Sequence, residues 1–269
     1  MKDLAIIDFE SFEKSVKAGL DAISARKQIA KQSAILIKPN LTSDLPHPIT
    51  TSPECCKIII EYIRKYSEAK IIIAEGCGDA KCETDQVFAN LGYTVLAKKL
   101  GVDLVDLNYE PVKMLQNIDC PVFPKMYLPE IAFNHYIISV PALKAHSLAG
   151  ITGSLKNMMG FAPPKYYSGR YGIWKKAVFH GKMQQSIIDL NKYIAPDLSV
   201  MDCSIGMAEF HLGGDRCDPP LNKIIAGYNP WNVDREAAGL LGLDWNNIEH
   251  IAAGTHENLL VDNQSTKHE

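Results

Sequence analysis

The chain has 269 residues, of which 46% are hydrophobic and 22% charged, and its formal net charge at pH 7 is −3. This composition is that of a globular protein with a sizeable core, and its acidic balance argues against a nucleic-acid scaffold. We expect a cytoplasmic protein outside the membrane, because no apolar run approaches the roughly 18–20 residues that span a bilayer and residues 1–8 lack the pattern of a secretory signal.

Hydrophobic periodicity predicts alternating helices and strands along the chain. Apolar positions that recur every three or four residues indicate helices, and short continuous apolar runs indicate strands covered on both faces, as in a parallel sheet. Ser52, Pro53 and Glu54 form a helix-start signal. In chain order these patterns predict helix 10–30, strand 34–37, a helix from Ser52, strand 70–76, helix 84–91, strand 102–107, an edge hairpin within 108–130, strand 136–140, helix 183–193, strands 198–202 and 223–227, and helices 233–241 and 245–253.

This alternation predicts an α/β fold, with a parallel or mixed sheet flanked by helices. We expect one domain over residues 1–255 and a polar tail over 256–269; an alternative is that the domain has two lobes that meet near 140–180, with a crevice between them. In such sheets ligands bind beyond the carboxyl ends of the strands. Polar residues concentrate at the predicted strand ends: Lys38, Asn40, Glu75, Gly76, Lys144, His146 and Asp202.

The segment between Glu130 and Asp189 contains no Asp or Glu but seven Lys and Arg residues. The rest of the chain has 21 basic and 31 acidic residues, so the positive charge is concentrated in this segment. Such an asymmetry predicts a small anionic ligand. The alternative is a basic, solvated loop.

Within this segment, residues 150–157 combine glycines, hydroxyl groups and a lysine. The spacing is neither that of a Walker A motif nor that of a Rossmann fingerprint. It predicts an anion cradle made by Gly150, Thr152, Gly153 and Ser154, with Asn157 and Thr152 hydrogen-bonded to the ligand. A helix-capping turn would use the same residues. Lys156 lies among apolar neighbours, so desolvation should lower the pKa of its amine and make it a nucleophile.

Histidines and aromatic residues accompany these groups. His146 follows an apolar strand and is a candidate base or metal ligand, and His180 is placed to converge on the same site. Glu75, Asp202 and Asp234 are carboxylates that would orient a histidine or hold a cation, although helix capping also accounts for Asp234. These residues predict a metal set of His146, His180 and Asp202. Residues 165–176 mix aromatic and basic side chains, which predicts a mobile lid over an anion or a packed loop; single-stranded nucleic-acid binders also use such a mixture.

The seven cysteines form no recognisable framework. Their number is odd and none belongs to a Cys-x-x-Cys pair, which argues against disulfides, a zinc site and an iron–sulfur cluster. We expect buried, reduced thiols.

Several short blocks, in this order, resemble those of one protein family: Lys38-Pro39-Asn40, Thr50-Thr51-Ser52-Pro53, Glu75-Gly76, Val140 to His146, Gly150 to Gly160, Asp189-Leu190-Asn191, Pro196-Asp197 and Asn229 to Asp234. The family is that of domain of unknown function 362, and the likeness covers residues 34–245. Many of its members carry a ferredoxin-like cysteine module, which is absent from this sequence.

The chain is also similar, more distantly, to the nickel-dependent lactate racemases. In that family a lysine tethers a nickel-pincer nucleotide, while histidines carry protons and bind the metal. The resemblance implies these roles for Lys156, His146 and His180, with a divalent metal (nickel or iron) or a phosphorylated cofactor.

Together these features predict an enzyme, racemase- or isomerase-like or redox-associated, that acts on a small anionic substrate or on a bound metal or nucleotide cofactor. Lys156 would be the anchor and His146 the proton carrier, with Lys144, Asn40 and Glu75 among the cofactor-binding residues. The alternative is a non-catalytic accessory protein that holds a metal or cofactor, with iron–sulfur or redox partners. A nucleic-acid binder is a third alternative, which the acidic balance of the chain disfavours.

Overall fold

The computed structural model describes residues 2–210 and 212–255 and confirms the α/β fold. Within these ranges the strands are β1 (Leu4–Asp8), β2 (Ala34–Pro39), β3 (Lys70–Glu75), β4 (Asp103–Asp106), β5 (Val112–Gln116), β6 (Lys125–Pro129), β7 (Tyr136–Val140), β8 (Ala142–His146), β9 (Gly150–Thr152), β10 (Leu198–Met207) and β11 (Lys223–Gly227). The α-helices are α1 (Phe12–Ala22), α2 (Arg26–Ile29), α3 (Pro53–Tyr66), α4 (Thr84–Asn90), α5 (Tyr93–Leu100), α6 (Ser154–Asn157), α7 (Pro164–Tyr167), α8 (Met183–Tyr193), α9 (Pro230–Leu240) and α10 (Glu249–Ala252).

In the described part of the chain, nine strands form one mixed sheet, with the order β1-β11-β10-β7-β2-β3-β4. Strands β10, β7, β2, β3 and β4 run parallel, whereas β11 is antiparallel to both β10 and β1. After Pro141, β8 extends the line of β7; it pairs with the far end of β10 and forms a hairpin with β9. The carboxyl ends of β2, β3 and β8 therefore lie at the same side of the sheet.

Continuous apolar runs place the central strands between two layers of core. Along β2, Leu36 contributes to one hydrophobic cluster while Ile35 and Ile37 contribute to the other. Successive side chains of a strand point to opposite faces, so a run without polar interruptions requires cover on both. The helices supply this cover; α3, for example, begins as predicted, with Ser52 Oγ accepting a hydrogen bond from the Glu54 amide.

Several elements differ from the prediction. The helix expected over 10–30 is divided into α1 and α2, because Ser24 adopts a left-handed conformation with φ 58°. The hairpin expected within 108–130 is present, but β5 and β6 form a separate two-stranded sheet. Strand β1, helix α5 and the β8–β9 hairpin were not predicted.

The predicted polar tail at 256–269 lies outside the described residues, and the division into two lobes stays a prediction. No helix in the described ranges is long and apolar enough to cross a membrane.

Candidate functional site

A cavity of about 190 Å³ opens where β2, β3 and β8 end. Lys38 comes from the end of β2, Glu75 from the end of β3 and His146 from the end of β8. The other lining residues described come from the loops that follow these strands, from the basic segment and from the loop after β10: Asn40, Thr42, Gly76, Gly78, Ser147, Leu148, Lys156, Asn157, Met159, Gly160, Trp174, Lys176, His180, Phe210 and Leu212. The crevice therefore forms at the strand ends, as the sequence predicts.

Lys38 and Glu75 form a buried ion pair at the floor of the cavity. Lys38 Nζ donates to Glu75 Oε1 at 2.8 Å and to the Pro39 carbonyl at 3.0 Å. The other carboxylate oxygen accepts from the amide of Leu41 at 2.9 Å, and Oε1 also accepts from the amide of Gly76 at 2.8 Å. A buried charge is tolerated when it is paired and hydrogen-bonded in this way.

Two glycines are required for the close packing around this pair. A Cβ atom on Gly160 would collide with Glu75 Oε1 and with Lys38 Cε. A Cβ atom on Gly76 would lie 2.6 Å from Asn108 Oδ1 and would also collide with the Gly160 carbonyl. The two loops can meet over the ion pair only because both positions lack a side chain.

Asn157 lines the cavity, but its amide group is committed to the protein. Its Oδ1 accepts from Lys38 Nζ at 3.1 Å and from Asn40 Nδ2 at 3.2 Å. Its Nδ2 donates to the Lys38 carbonyl at 3.1 Å and to Ser139 Oγ at 3.0 Å. These four bonds use the full capacity of an amide, so Asn157 joins β2 and β7 to α6.

Lys144 and Lys176 are buried cations without a carboxylate partner in the described ranges. Lys144 Nζ donates to Asn40 Oδ1 and, at 2.5 Å, to the Ile49 carbonyl. Lys176 Nζ donates to Asn108 Oδ1 and to the Ala162 carbonyl. Burial is the main cause that lowers the pKa of each amine to about 7; nearby lysines act in the same direction and Glu75 opposes them.

Lys156 differs from these lysines because its amine is uncommitted. The side chain is half-buried and lines the cavity. It forms no hydrogen bond or ion pair with any residue in the described part of the chain. Burial, followed by the charge of Lys38, lowers the pKa of Lys156 to about 8. At pH 7 this amine is still mostly protonated, but about half of it is neutral at pH 8, far more than for a lysine with the ordinary value of 10.5.

The two predicted histidines both line the cavity. His146 Nδ1 accepts from the amides of Leu148 and Ala149, each at 3.2 Å. In the neutral ring this leaves the proton on Nε2. Burial and then Lys156 lower the pKa of His180. The structure thus brings His146, Lys156 and His180 to one cavity.

The amino-acid sequence also matches the model of a known protein family. The model of the family described as "Domain of unknown function (DUF362)" matches residues 35–239, more than half of the chain. The chain belongs to the DUF362 family. The resemblance of the sequence blocks is thereby confirmed.

The DUF362 protein is also similar to a solved structure, that of the lactate racemase apoprotein from Thermoanaerobacterium thermosaccharolyticum. The TM-score is 0.55 at 15% sequence identity. The match covers 87% of the DUF362 protein and 56% of the racemase chain, so the protein spans little more than half the length of that neighbour. At this identity the similarity shows the fold alone. A comparison with curated protein sequences finds no match.

The predicted anion cradle is a structural cap in the DUF362 protein. The amides of Ser154 and Leu155 donate to the two carboxylate oxygens of Asp234 at 2.6 and 3.0 Å. A Cβ atom on Gly153 would lie 2.5 Å from Asp234 Oδ1, so the carboxylate also fills the space beside the turn. Gly150, Thr152, Gly153 and Ser154 are absent from the described lining of the cavity. The turn binds an anion, but that anion is Asp234.

The predicted metal set is not assembled in the described residues. Asp202 does not line the cavity with His146 and His180; its Oδ2 lies 2.9 Å from His47 Nε2, and its Oδ1 accepts from the Ser204 amide. Over 2–210 and 212–255, no group of three or more His, Cys, Asp or Glu is arranged to hold a metal. The reason is that β10 directs Asp202 towards the loop that carries His47.

Two residues of the site were missed by the sequence analysis. Lys38 was noted only as a strand end, and Lys176 only as part of a lid, since the partners of a buried lysine are remote in sequence. A third residue, His250, carried no local signal; it does not line the cavity but lies close enough to Lys156 to be affected by its charge. Its Nδ1 lies 2.6 Å from Gln184 Oε1, and its Nε2 is buried without a hydrogen-bond partner among the residues described. Burial, and then Lys156, lower the pKa of His250 to about 3.

Proposed function

We propose that this DUF362 protein is an enzyme that binds a small anion in the cavity, with Lys156 as the covalent anchor and His146 as the proton carrier. One observation carries the proposal. The amine of Lys156 is uncommitted and faces a cavity that Lys176 also lines. Lys144 does not line the cavity but is hydrogen-bonded to the lining residue Asn40. Neither Lys144 nor Lys176 has a carboxylate partner in the described chain. Three such cations favour an anionic ligand, because burial of unpaired charge is costly until an anion compensates it.

Each group has a separate task in this proposal. Lys144 and Lys176 are held by carbonyl oxygens, so they supply positive charge at fixed positions. The neutral amine of Lys156 forms a C–N bond to a carbonyl carbon of the bound anion; the C=O π electron pair moves to the oxygen, and the nitrogen loses a proton to solvent. His146, whose Nδ1 accepts backbone amides, offers its Nε2 proton to the oxygen that leaves or becomes charged.

The likeness to lactate racemase suggests a lysine-tethered nucleotide as the bound anion. The residues present fit such a group in two respects. Lys156 has an uncommitted amine that would be the point of attachment. Lys144 and Lys176 have no carboxylate partner in the described chain, so the negative charge of phosphate groups would neutralise them. A nickel centre, when bound, would supply an electrophile. His146 and His180 are the described lining residues whose imidazoles would hold it.

A non-catalytic binding protein is the second candidate, and one observation favours it. Glu75 is the single carboxylate described in the cavity lining, and Lys38 and two amides hold it. No carboxylate among the described lining residues is thus left to act as a base. Such a protein would bind the anion and release it unchanged.

Reductive trapping tests the role of Lys156. Purified protein is treated with pyruvate and cyanoborohydride, and the adduct is located by peptide mass mapping. We expect one adduct, on Lys156, whose rate of formation rises with pH up to about 8, because only the neutral amine reacts. The variant Lys156→Met should lose it. The control Lys165→Met removes an exposed lysine of the same segment and should retain it. Adducts spread over exposed lysines in proportion to accessibility would refute the proposal.

A further inference from the structure

The cavity that holds the lysines is also lined by large apolar side chains. Leu148 is 49% exposed and Phe210 is 44% exposed, although both are hydrophobic. Trp174 and Leu212, both half-buried, line the same cavity. Single exposed hydrophobic residues are common on protein surfaces, but several around one concave site indicate a ligand-binding surface. We call Leu148, Trp174, Phe210 and Leu212 the apolar rim.

Three separate segments contribute to the apolar rim. Leu148 lies in the turn between β8 and β9, Trp174 in the connection between α7 and α8, and Phe210 in the loop after β10. The turn is held in place, since Gln184 Nε2 donates to the Leu148 carbonyl at 2.9 Å. The rim is therefore not one hydrophobic run that happens to be exposed. The fold brings apolar residues from different parts of the chain to a site that also contains lysines, which indicates that the apolar rim contributes to ligand binding.

The size of the cavity indicates how a ligand would use both surfaces. Its volume of about 190 Å³ is below the roughly 300–1,000 Å³ of common ligand pockets. It has room for a compact charged group. A larger ligand would place that group beside Lys156 and extend its remaining atoms over the apolar rim.

We propose that the ligand is an amphipathic anion: a carboxylate or phosphate head that lies beside Lys156, joined to an aromatic or alkyl body that packs on Leu148, Trp174 and Phe210. This inference rests on the proposed anion site and adds the class of ligand. The lysines supply charge recognition, and the rim supplies selection for an apolar body through removal of its surface from water. A flat aromatic body also suits the indole ring of Trp174.

The test uses three probes with the full-length protein. Phenylpyruvate has both halves of the proposed ligand, pyruvate has the head alone, and phenylacetone has the body alone. Dissociation constants are measured by calorimetry at fixed salt. We expect phenylpyruvate to bind about tenfold more tightly than pyruvate, which corresponds to burial of about two methylene equivalents. Phenylacetone should bind more weakly than phenylpyruvate by at least as much, since it has no charge for the lysines.

Variants separate the rim from the lysines. Phe210→Ala and Trp174→Ala should each reduce the preference for phenylpyruvate over pyruvate to about threefold or less. The control Ile173→Ala removes a side chain that is 76% exposed and is not among the described lining residues, so the preference should persist. Circular dichroism and thermal unfolding establish that each variant is folded.

The failure of this inference is distinguishable from failure of the anion site. If both oxo acids bind, Lys156→Met weakens both, and the rim variants leave their ratio unchanged, the rim does not select the ligand and only this inference fails. Equal affinities for pyruvate and phenylpyruvate in the wild-type protein would have the same meaning. If neither acid binds, or if Lys156→Met binds both as tightly as the wild type, the anion site itself fails.

Discussion

Lys38 and Lys156 are neighbouring cations with opposite roles, and their partners decide which role each has. The ammonium group of Lys38 donates to the Pro39 carbonyl, to Glu75 and to Asn157, which uses its three hydrogens. Burial lowers the pKa of Lys38, and Glu75 opposes that effect. Lys156 has no such partners in the described chain, so its amine remains available for chemistry. We infer that Lys38 has a structural role in the site, whereas Lys156 is the residue that reacts with the ligand.

The Lys38–Glu75 pair makes a residue-scale prediction. Glu75→Gln removes the carboxylate and leaves the buried Lys38 ammonium without its counter-charge, so we expect a loss of about 3–5 kcal/mol in the free energy of unfolding. Urea unfolding measures this. The matched control is Asp103→Asn, which breaks an exposed pair with Lys70 at 3.3 Å. That variant should change stability much less, because solvent screens exposed charges. Comparable losses in the two variants would contradict a structural role for the buried pair.

The turn before α6 shows, at the scale of an element, what local sequence can and cannot reveal. Glycine, hydroxyl residues and exposed amides at 150–157 predict an anion, and the structure has one there. The sequence could not identify it as Asp234, because that carboxylate is 80 positions away and reaches the turn only when α9 packs on α6. Local pattern specifies the chemistry of the turn; tertiary packing specifies the partner.

Asp234→Asn tests this cap. The asparagine would accept from one amide only, and its NH2 group would face the donor of the other, so we expect a loss of about 1–3 kcal/mol in unfolding free energy. Because Lys156 is two residues after Ser154, reductive trapping of Lys156 should also slow. Ser11→Ala is the control: it removes the cap of α1, where Ser11 Oγ accepts from the Lys14 amide, and costs about 1 kcal/mol. Trapping should be unaffected in that variant. An effect of both variants on trapping would attribute it to general loss of stability.

The difference between local pattern and tertiary packing also explains which strands and helices the sequence predicts and which it does not. Strands β2, β3 and β7 are continuous apolar runs buried on both faces, and such runs are visible in sequence. Strand β1 is a half-exposed edge strand paired only with β11, from the other end of the chain. Helix α5 begins directly after Gly92, whose left-handed conformation (φ 85°) lets a second helix follow the one predicted over 84–91. Pairing partners and left-handed junctions depend on tertiary structure, which periodicity does not report.

The whole molecule concentrates positive charge at the carboxyl ends of its strands while its net charge is −3. Lys38 lies on β2 and Lys144 on β8. Lys156 lies on α6, and Lys176 lies in the connection between α7 and α8. Burial lowers the pKa of all four. A protonated lysine is unfavourable in this environment, so the cluster lowers the stability of the fold, and the anion that we propose would offset this cost. Sites of this kind commonly exchange stability for function.

The cluster makes a prediction for stability as a function of pH. In the folded protein the pKa values of Lys144 and Lys176 are about 7 and that of Lys156 is about 8, whereas the ordinary value is 10.5. Above about pH 7 the unfolded chain therefore binds more protons than the folded one, so the unfolding free energy should rise with pH, by at most about 1.4 kcal/mol per pH unit for each lysine. This rise is expected only up to about pH 9, the ordinary pKa of a cysteine thiol. Above that pH the thiols of the unfolded chain lose protons that the buried thiols keep, which opposes the effect of the lysines.

Thermal unfolding between about pH 7 and 9 measures this rise in Tm. The variant Lys144→Met retains the length of the side chain but not its proton, and should rise less steeply. The exposed Lys27→Met, for which the folded and unfolded surroundings are alike, should follow the wild type. Inorganic phosphate should raise Tm more at pH 7 than at pH 9, because an anion stabilises the protonated lysines. A wild-type Tm that does not respond to pH, together with equal phosphate effects at both values, would mean that the lysines are not the unpaired cations on which the anion site depends.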